Sequence, residues 1–420
     1  MTEAQTIDFE ALLDRRNLRP SYQPIFDLTT GQKVAVEALA RWPELQVVPD
    51  RAFRHAESLG RLAELDDVCR TAAIDDAVAH GLPPRFGLFI NLEPSVLSRH
   101  TAESLLAKTV GHFDLVVEIT ERALVRRPAE LLRSIQMLKT AGCAVALDDV
   151  GAVPESLALL PFVAPDVIKL DISLVQAWPD MDQAAILTSV ASYAERSGST
   201  VLAEGIETEA HLDQALALGA TLGQGWFFGR PGALGSLSSP TRSVALRQPL
   251  SPTVATPFGA IDPARVRIGP KGLLLGISHH LENQGLALET PPVVLGAFQN
   301  AKHFSPATAE RYRRLAGRCP LVAALGIGLP PAPAPGVRGV SLAGNDSLEG
   351  EWVVAVVGSH YTGALIARDL GDSGPDRDRR FAFVVTHDHK TVLAAARSLL
   401  ERVSPIQHSQ HDGHFLTSIR

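Results

Sequence analysis

A carboxylate stands in the middle of an apolar run: Glu37 in VAVEALARW (34–42). A carboxylate in a packed core costs several kcal/mol unless a cation or hydrogen bonds meet it. An ion pair with Arg41, on the same strand face by even spacing, is one way to meet it. A metal ion is the other. The same interruption recurs along the chain. Asn91 stands near the end of FGLFINL (86–92) and Glu118 inside LVVEIT (115–120). Asp148 and Asp149 close AVALDDV (144–150), and Lys169 and Asp171 close VIKLD (167–171). Glu204 interrupts VLAEGI (201–206), and Gln224 opens GQGWFF (223–228). Taken singly, each has a structural explanation, such as a helix cap, an ion pair or a satisfied loop. Brought into one crevice, the five carboxylates Glu37, Glu118, Asp148, Asp149 and Glu204 would repel one another unless cations neutralised them. Oxygen donors without His or Cys select Mg²⁺, Mn²⁺ or Ca²⁺ over zinc. The adjacent Asp148 and Asp149 can span two ions, and paired metals serve phosphodiester hydrolysis. Lys169 and Arg41 add positive charge for phosphate oxygens.

The elements that must position these residues follow from periodicity. SYQPIF (21–26) and VAVEALA (34–40) flank the turn sequence TTGQ, which predicts an antiparallel hairpin. The six later apolar runs alternate with amphipathic stretches such as AELLRSIQMLKTAG (129–142), which stops at a glycine. Eight strands in such units predict a modified (β/α)8 TIM-type barrel with an irregular first strand. In that architecture the strand ends converge on one mouth.

At 420 residues the chain exceeds one ordinary core, so two domains are expected. A net charge of -7 gives no footprint for DNA or an anionic membrane. Cys69, Cys143 and Cys319 lie far apart, which suits a reducing cytoplasm better than a disulfide framework. The start MTEAQTIDFEALLDRR has no apolar stretch and reads as no secretory signal. The longest apolar runs, such as WVVAVVG (352–358), fall far below the roughly 18 residues that span a bilayer. These features predict a cytoplasmic protein. The barrel is expected over residues 1–235 and a Ser/Pro-rich linker over 236–262. A smaller mixed α/β domain follows over 263–404, with a disordered tail over 405–420. In the second domain a helix is expected around 307–317, strands at 351–358 and 380–386, and a helix near 391–402. Trp352, Tyr312 and Phe298 read as core, and His387 and His389 as a strand-end turn.

Eight blocks resemble the EAL domain of cyclic di-GMP phosphodiesterases in that family's order. They are YQPIF (22–26), EALARW (37–42), INLEPSVL (90–97), EITE (118–121), ALDDVG (146–151), IKLD (168–171), AEGIET (203–208) and QGWFFGRP (224–231). The resemblance implies a barrel whose first strand is antiparallel. It also implies hydrolysis of cyclic di-GMP to linear pGpG with Mg²⁺ or Mn²⁺, inhibited by Ca²⁺. Carried over by motif, Glu37, Asn91, Glu118 and Asp148 would hold one metal, and Asp148, Asp149 and Glu204 the second. Glu204 would also act as general base beside the attacking water, which Lys169 would orient. Gln23, Leu39, Arg41, Glu207 and Gln224 would line the dinucleotide site, with Asp171 supporting the centre. Glu121 would anchor the loop after Asp149, a loop that in the family couples metal binding to a homodimer through the barrel.

That loop departs from the family. The usual DDFGTGYSSL is DDVGAVPESL (148–157) here, so Val153 and Pro154 make it stiffer. The second region resembles the DICT sensory domain through GAFQNAKHF (296–304), TAERYRRLA (308–316), NDSLEGEWVVAVVG (345–358) and RRFAFVVTHD (379–388). It implies an unidentified signal or partner protein there. A flexible linker transmits no torque, so control of the barrel would need a docked interface or a dimer. Two alternatives to the enzyme are a receptor that binds cyclic di-GMP without cleaving it and an interaction scaffold.

Overall fold

The computed structural model describes residues 7–93, 105, 108–109, 111–120, 127–151, 154–235, 237, 239–240, 243–244 and 254–403. Three helices, α1 (Phe9–Leu13), α2 (Pro49–Ser58) and α3 (Leu62–Ala79), pack beside the first strands. β1 (Arg19–Asp27) and β2 (Gln32–Arg41) form the hairpin, with Gln23 opposite Glu37. Its turn is set by Asp27, whose Oδ1 accepts from the Thr29 and Thr30 N–H groups at 2.9 Å. The barrel closes through β3 (Gly87–Asn91), β4 (Asp114–Thr120), β5 (Ala144–Val150), β6 (Val167–Leu170), β7 (Thr200–Ala203) and β8 (Leu222–Gln224). β1 is antiparallel to both of its neighbours, and β2 through β8 run parallel, as expected from the hairpin. The outer helices after β3 include α4 (Pro128–Thr140), α5 (Leu160–Val163), α6 (Ile172–Gln176), α7 (Met181–Ser197) and α8 (Glu209–Ala217). β8 is shorter than the apolar run GQGWFF suggests. It ends at Gln224 because Gly225, at φ 154, turns the chain against the Ile206 backbone, where any Cβ would collide.

Strand alternation sorts the barrel interior into layers. Ile25, Ala35, Phe89, Val116, Ala146, Val167, Leu202 and Leu222 form one buried apolar cluster inside the barrel. Two residues further toward the mouth, on the same face, stand Gln23, Glu37, Asn91, Glu118, Asp148, Lys169, Glu204 and Gln224. The apolar layer supplies the hydrophobic burial, and the next layer up is polar on every strand. Val244 plugs the opposite end beside Gly87, where a Cβ would sit 2.7 Å from Val244 Cγ2.

The second domain is a seven-stranded mixed sheet of order β12-β11-β10-β13-β14-β15-β9. Its elements are β9 (Arg267–Pro270), α9 (Lys271–Ala287), β10 (Val293–Asn300), α10 (Pro306–Ala316), β11 (Leu321–Ile327), β12 (Arg338–Leu342), β13 (Glu351–Val357), β14 (Thr362–Asp369), β15 (Arg380–Thr386) and α11 (His389–Leu400). One sheet face packs on α9 and α10, and there Tyr312, Phe298 and Trp352 are buried. The other face, with Val293, Leu295, Val353, Ala355 and Ile366, packs on α11 and joins the barrel's helix layer in one continuous apolar cluster. α11 touches both α4 and α5 of the barrel. Arg397 of α11, buried, donates from Nη1 to the Phe162 carbonyl at 2.7 Å. That carbonyl is one of the unpaired groups a helix end leaves behind.

Within the expected linker, Ser243 and Val244 lie on the barrel, and a 3₁₀ turn at Pro257–Ala260 lies on α11. The expected tail over 405–420 lies outside the described residues. Among the described residues no helix is long and apolar enough to cross a membrane.

Candidate active site

Lys169 occupies the centre of the polar layer and is 1% exposed. Its Nζ lies 2.7 Å from Glu118 Oε1, 2.9 Å from Asp148 Oδ1, 2.9 Å from Glu204 Oε1 and 3.7 Å from Glu37 Oε2. Burial alone would push this ammonium down, but the four carboxylates outweigh it and hold the pKa well above the usual lysine value. Glu37 is not paired with Arg41 among the described residues. It accepts from Gln224 Nε2 at 2.6 Å and from Asn91 Nδ2 at 3.4 Å, and faces Lys169. Arg41 instead donates to the Ala40 carbonyl at 2.9 Å.

One ammonium cannot balance this many carboxylates. Burial, reinforced by Glu37 and Asp148, raises Glu118 well above the usual carboxylate range against the pull of Lys169. Burial likewise pushes Glu204 up to about 8, with Lys169 opposing and Asp148 and Glu37 adding. Both Glu118 carboxylate oxygens, Asp148 Oδ1 and Gln224 Oε1 are buried without a hydrogen-bond partner among the described residues. Glu118 Oε1 and Asp148 Oδ1 still meet Lys169 Nζ as ion pairs at 2.7 and 2.9 Å, so the oxygens left with no partner of either kind among the described residues are Glu118 Oε2 and Gln224 Oε1. Orphaned buried oxygens of this kind call for additional cations.

The backbone brings a second acidic group beside them. The pairing of β5 with β6 slips between Leu147 and Val150, and Asp149 sits there at φ 56, followed by Gly151 at φ 104. This irregularity aims two adjacent carboxylates at the same mouth. Ligand oxygens of Asp148, Asp149 and Glu204 lie within 4.8 Å of one another, close enough to share an ion. The residues present therefore fit hard divalent cations.

The remaining expected residues are spread around this centre. Gln23 and Leu39 lie on the β1–β2 hairpin, partly buried. Glu207 is exposed just beyond β7. Asp171 caps α6, its Oδ1 accepting from the Ser173 N–H at 2.8 Å. Glu121 and Val153 lie outside the described residues, while Pro154 opens a 3₁₀ turn running to Leu159. Two residues escaped the sequence reading altogether. Arg196 and His360 meet across the two domains, 164 positions apart in the chain, where no local motif points to them.

Fold and site together define a (β/α)8-type barrel with one reversed strand and an acidic, lysine-centred mouth suited to hard cations. The chain belongs to the EAL domain family, whose model matches residues 8–231, just over half of the chain. A second family model, the sensory domain in diguanylate cyclases and two-component systems, matches residues 254–370, a span that stops short of β15 and α11. Relatives include the cyclic di-GMP phosphodiesterase RocR of Pseudomonas aeruginosa, 31% identical over 236 residues covering 52% of this chain and 58% of that protein. The cyclic di-GMP phosphodiesterase PdeL of Escherichia coli is 30% identical over 230 residues, covering 52% of this chain and 64% of that protein. An uncharacterized protein of Sinorhizobium fredii, y4lL, is 32% identical over 52% of this chain, a span that covers 27% of its own length. The chain thus spans less than two thirds of the length of each of these relatives. A solved Klebsiella pneumoniae BlrP1 manganese and cyclic di-GMP complex shares 28% identity over 51% of this chain and 56% of that one, with a TM-score of 0.45.

Proposed function

We propose that the barrel hydrolyses cyclic di-GMP to linear pGpG with two divalent cations, Mg²⁺ or Mn²⁺. The observation that carries this reading is the buried cluster at the mouth, where four carboxylates share one ammonium and Glu118 Oε2 has no partner among the described residues. Glu37, Asn91, Glu118 and Asp148 would hold one ion, and Asp148, Asp149 and Glu204 the other. When bound, such ions supply Lewis-acid charge at the phosphate and lower the pKa of water. Gln23, Leu39, Arg41, Glu207 and Gln224 line the dinucleotide site, where the Arg41 guanidinium faces phosphate oxygens. Glu204, which bound cations would hold deprotonated, takes the proton of the attacking water. Lys169 Nζ holds the carboxylates together and orients that water. Asp171, by capping α6, fixes the chain that leaves Lys169. Water oxygen bonds to phosphorus as the bond to the 3′ oxygen breaks, and the 3′ oxygen leaves with a proton.

Turnover is expected to vanish in excess chelator and to return with Mg²⁺ or Mn²⁺. Ca²⁺ should inhibit, because its longer bonds and larger ligand number disturb in-line spacing. Chromatographic assay of pGpG after each addition checks this. Full activity in chelator would remove the metal mechanism, and metal-dependent binding without cleavage would leave a receptor.

The second domain regulates the barrel through its docked helix. α11 rests on α5, which follows the turn that leaves Asp148 and Asp149, so displacing α11 alters the support of those carboxylates. Arg397→Ala leaves the Phe162 carbonyl without its donor, a loss of about 1–3 kcal/mol. It is expected to lower the melting temperature and to change cyclic di-GMP turnover by a factor of about 5–150, the range of ordinary coupling energies. A variant with a loosened interface by X-ray scattering but unchanged kinetics would make the second domain a passive tether.

A further inference from the structure

A cavity of about 300 Å³ lies on the seam between the two domains, away from the acidic mouth. Arg196 of α7 lines its barrel side. His360 and Tyr361, in the turn between β13 and β14, Thr362 at the start of β14, His387 just after β15 and His389 at the start of α11 line the other. None of its lining residues is acidic. We infer that this cavity binds a small phosphoryl oxyanion that bridges the barrel and the second domain.

The donors are held in place by bonds that cross or brace the seam. Arg196 Nη2 donates to the Ser359 carbonyl at 2.6 Å, and its Nε donates to the Ser192 carbonyl at 3.2 Å. His360 Nε2 pairs with Ser189 Oγ of α7 at 2.7 Å. His387 Nδ1 lies 2.9 Å from the Thr362 carbonyl, which can only accept, so the hydrogen is on Nδ1. Its Nε2 is then a lone-pair nitrogen that becomes a donor on protonation. The nearest carboxylate, Asp388, is committed elsewhere: its Oδ1 accepts from Thr391 N at 2.9 Å and Thr391 Oγ1 at 2.6 Å. It caps α11 and does not line the cavity.

A metal does not suit these imidazoles. Among the described residues, only Asp148, Asp149 and Glu204 gather three ligand atoms closely enough to share an ion. An anion does suit them, because guanidinium, imidazolium and hydroxyl donors approach from both domains around a space large enough for linked phosphate groups. Burial and the neighbouring Arg196 hold both His360 and His389 below the usual histidine value, with Asp388 partly opposing at His389. Binding an anion therefore takes up protons and strengthens as pH falls.

Pyrophosphate is the probe, titrated by calorimetry into the full chain in metal-free buffer between about pH 8 and pH 6, across the ordinary histidine range. The readout needs no turnover, so it fails or succeeds independently of the phosphodiesterase reading. The expected result is binding that tightens toward low pH and weakens by about tenfold or more in the double variant His387→Asn, His389→Gln. Asparagine keeps a donor for the Thr362 carbonyl, so the variant should melt as the wild type does without ligand. A second readout needs no variant: pyrophosphate should protect His387 from diethyl pyrocarbonate, followed by peptide mass spectrometry. No binding at millimolar pyrophosphate, pH-independent binding, equal binding by the variant, or no protection of His387 would overturn the site. Citrate binding as tightly as pyrophosphate would overturn the phosphoryl assignment.

Discussion

Glu204→Gln is expected to reduce cyclic di-GMP hydrolysis by about 10²–10⁴-fold while the protein melts no lower than the wild type. Glu204 lies 2.9 Å from Lys169 and within ion-sharing distance of Asp148 and Asp149. Glutamine has the shape of the neutral acid that burial favours at this position, and it removes one of several mutually repelling carboxylates. The fold therefore loses little. The chemistry loses a base for the attacking water and one donor of the three-carboxylate group. Glu37→Ala should likewise collapse turnover, and it frees Gln224 Nε2 and Asn91 Nδ2 to hydrogen-bond water. Initial rates at saturating Mn²⁺, with melting curves in chelator, check both variants. Normal turnover by a soluble fraction of a destabilised variant would mean these residues serve only as structural ion-pair members.

The barrel site was legible because strand periodicity and chemistry coincide. Seven of the candidate residues stand two positions from an apolar interior residue: Ala35 and Glu37, Phe89 and Asn91, Val116 and Glu118, Ala146 and Asp148, Val167 and Lys169, Leu202 and Glu204, Leu222 and Gln224. A polar residue in phase with a buried face is visible without coordinates. What could not be seen is that Lys169 sits at the centre of four carboxylates, because that depends on closure of the barrel rather than on any local pattern. The pairing slip that turns Asp149 to φ 56 was invisible for the same reason. The second domain read less well. EWVVAVVG and RFAFVVT are continuous apolar runs and announced β13 and β15. By contrast, β9 is four residues at a sheet edge and mostly exposed, and α9, KGLLLGISHHLENQGLA, carries three glycines that mask a helix. The docking of α11 was hidden too. Its apolar surface is wide enough to serve the sheet and the barrel at once, which sequence alone does not distinguish from a helix covering one sheet.

Lys169→Met should produce the largest loss of stability of any change at the mouth, and one that divalent cations repair. Methionine fills much the same volume, so packing is kept while the only cation touching Glu37, Glu118, Asp148 and Glu204 among the described residues is removed. Breaking a buried ion pair from one side costs about 3–5 kcal/mol. Proton uptake by Glu118 and Glu204 limits that cost, since both already favour the neutral acid. The sign of the pH dependence follows. A carboxyl whose folded pKa lies above its unfolded value of about 4.3 contributes stability below that value and loses it as pH rises through the folded pKa. With Lys169 present, the Glu204 pKa is already about 8, and without it the value rises further. The deficit of the variant against the wild type should therefore stay nearly level from about pH 5 to pH 7, where both folded forms hold Glu204 protonated, and widen as pH rises from about 7 to about 9 in chelator. Adding Mn²⁺ should then raise the melting temperature of the variant more than that of the wild type, because ions now supply the missing positive charge. Turnover should still fall by about a hundredfold or more, since no ammonium remains to orient the attacking water. Differential scanning calorimetry across that pH range, with and without Mn²⁺, measures the first two effects separately from activity. A variant that melts like the wild type at every pH, with no larger response to Mn²⁺, would show that Lys169 does not compensate the carboxylates. The buried charge at the mouth would then have to be balanced by protons alone.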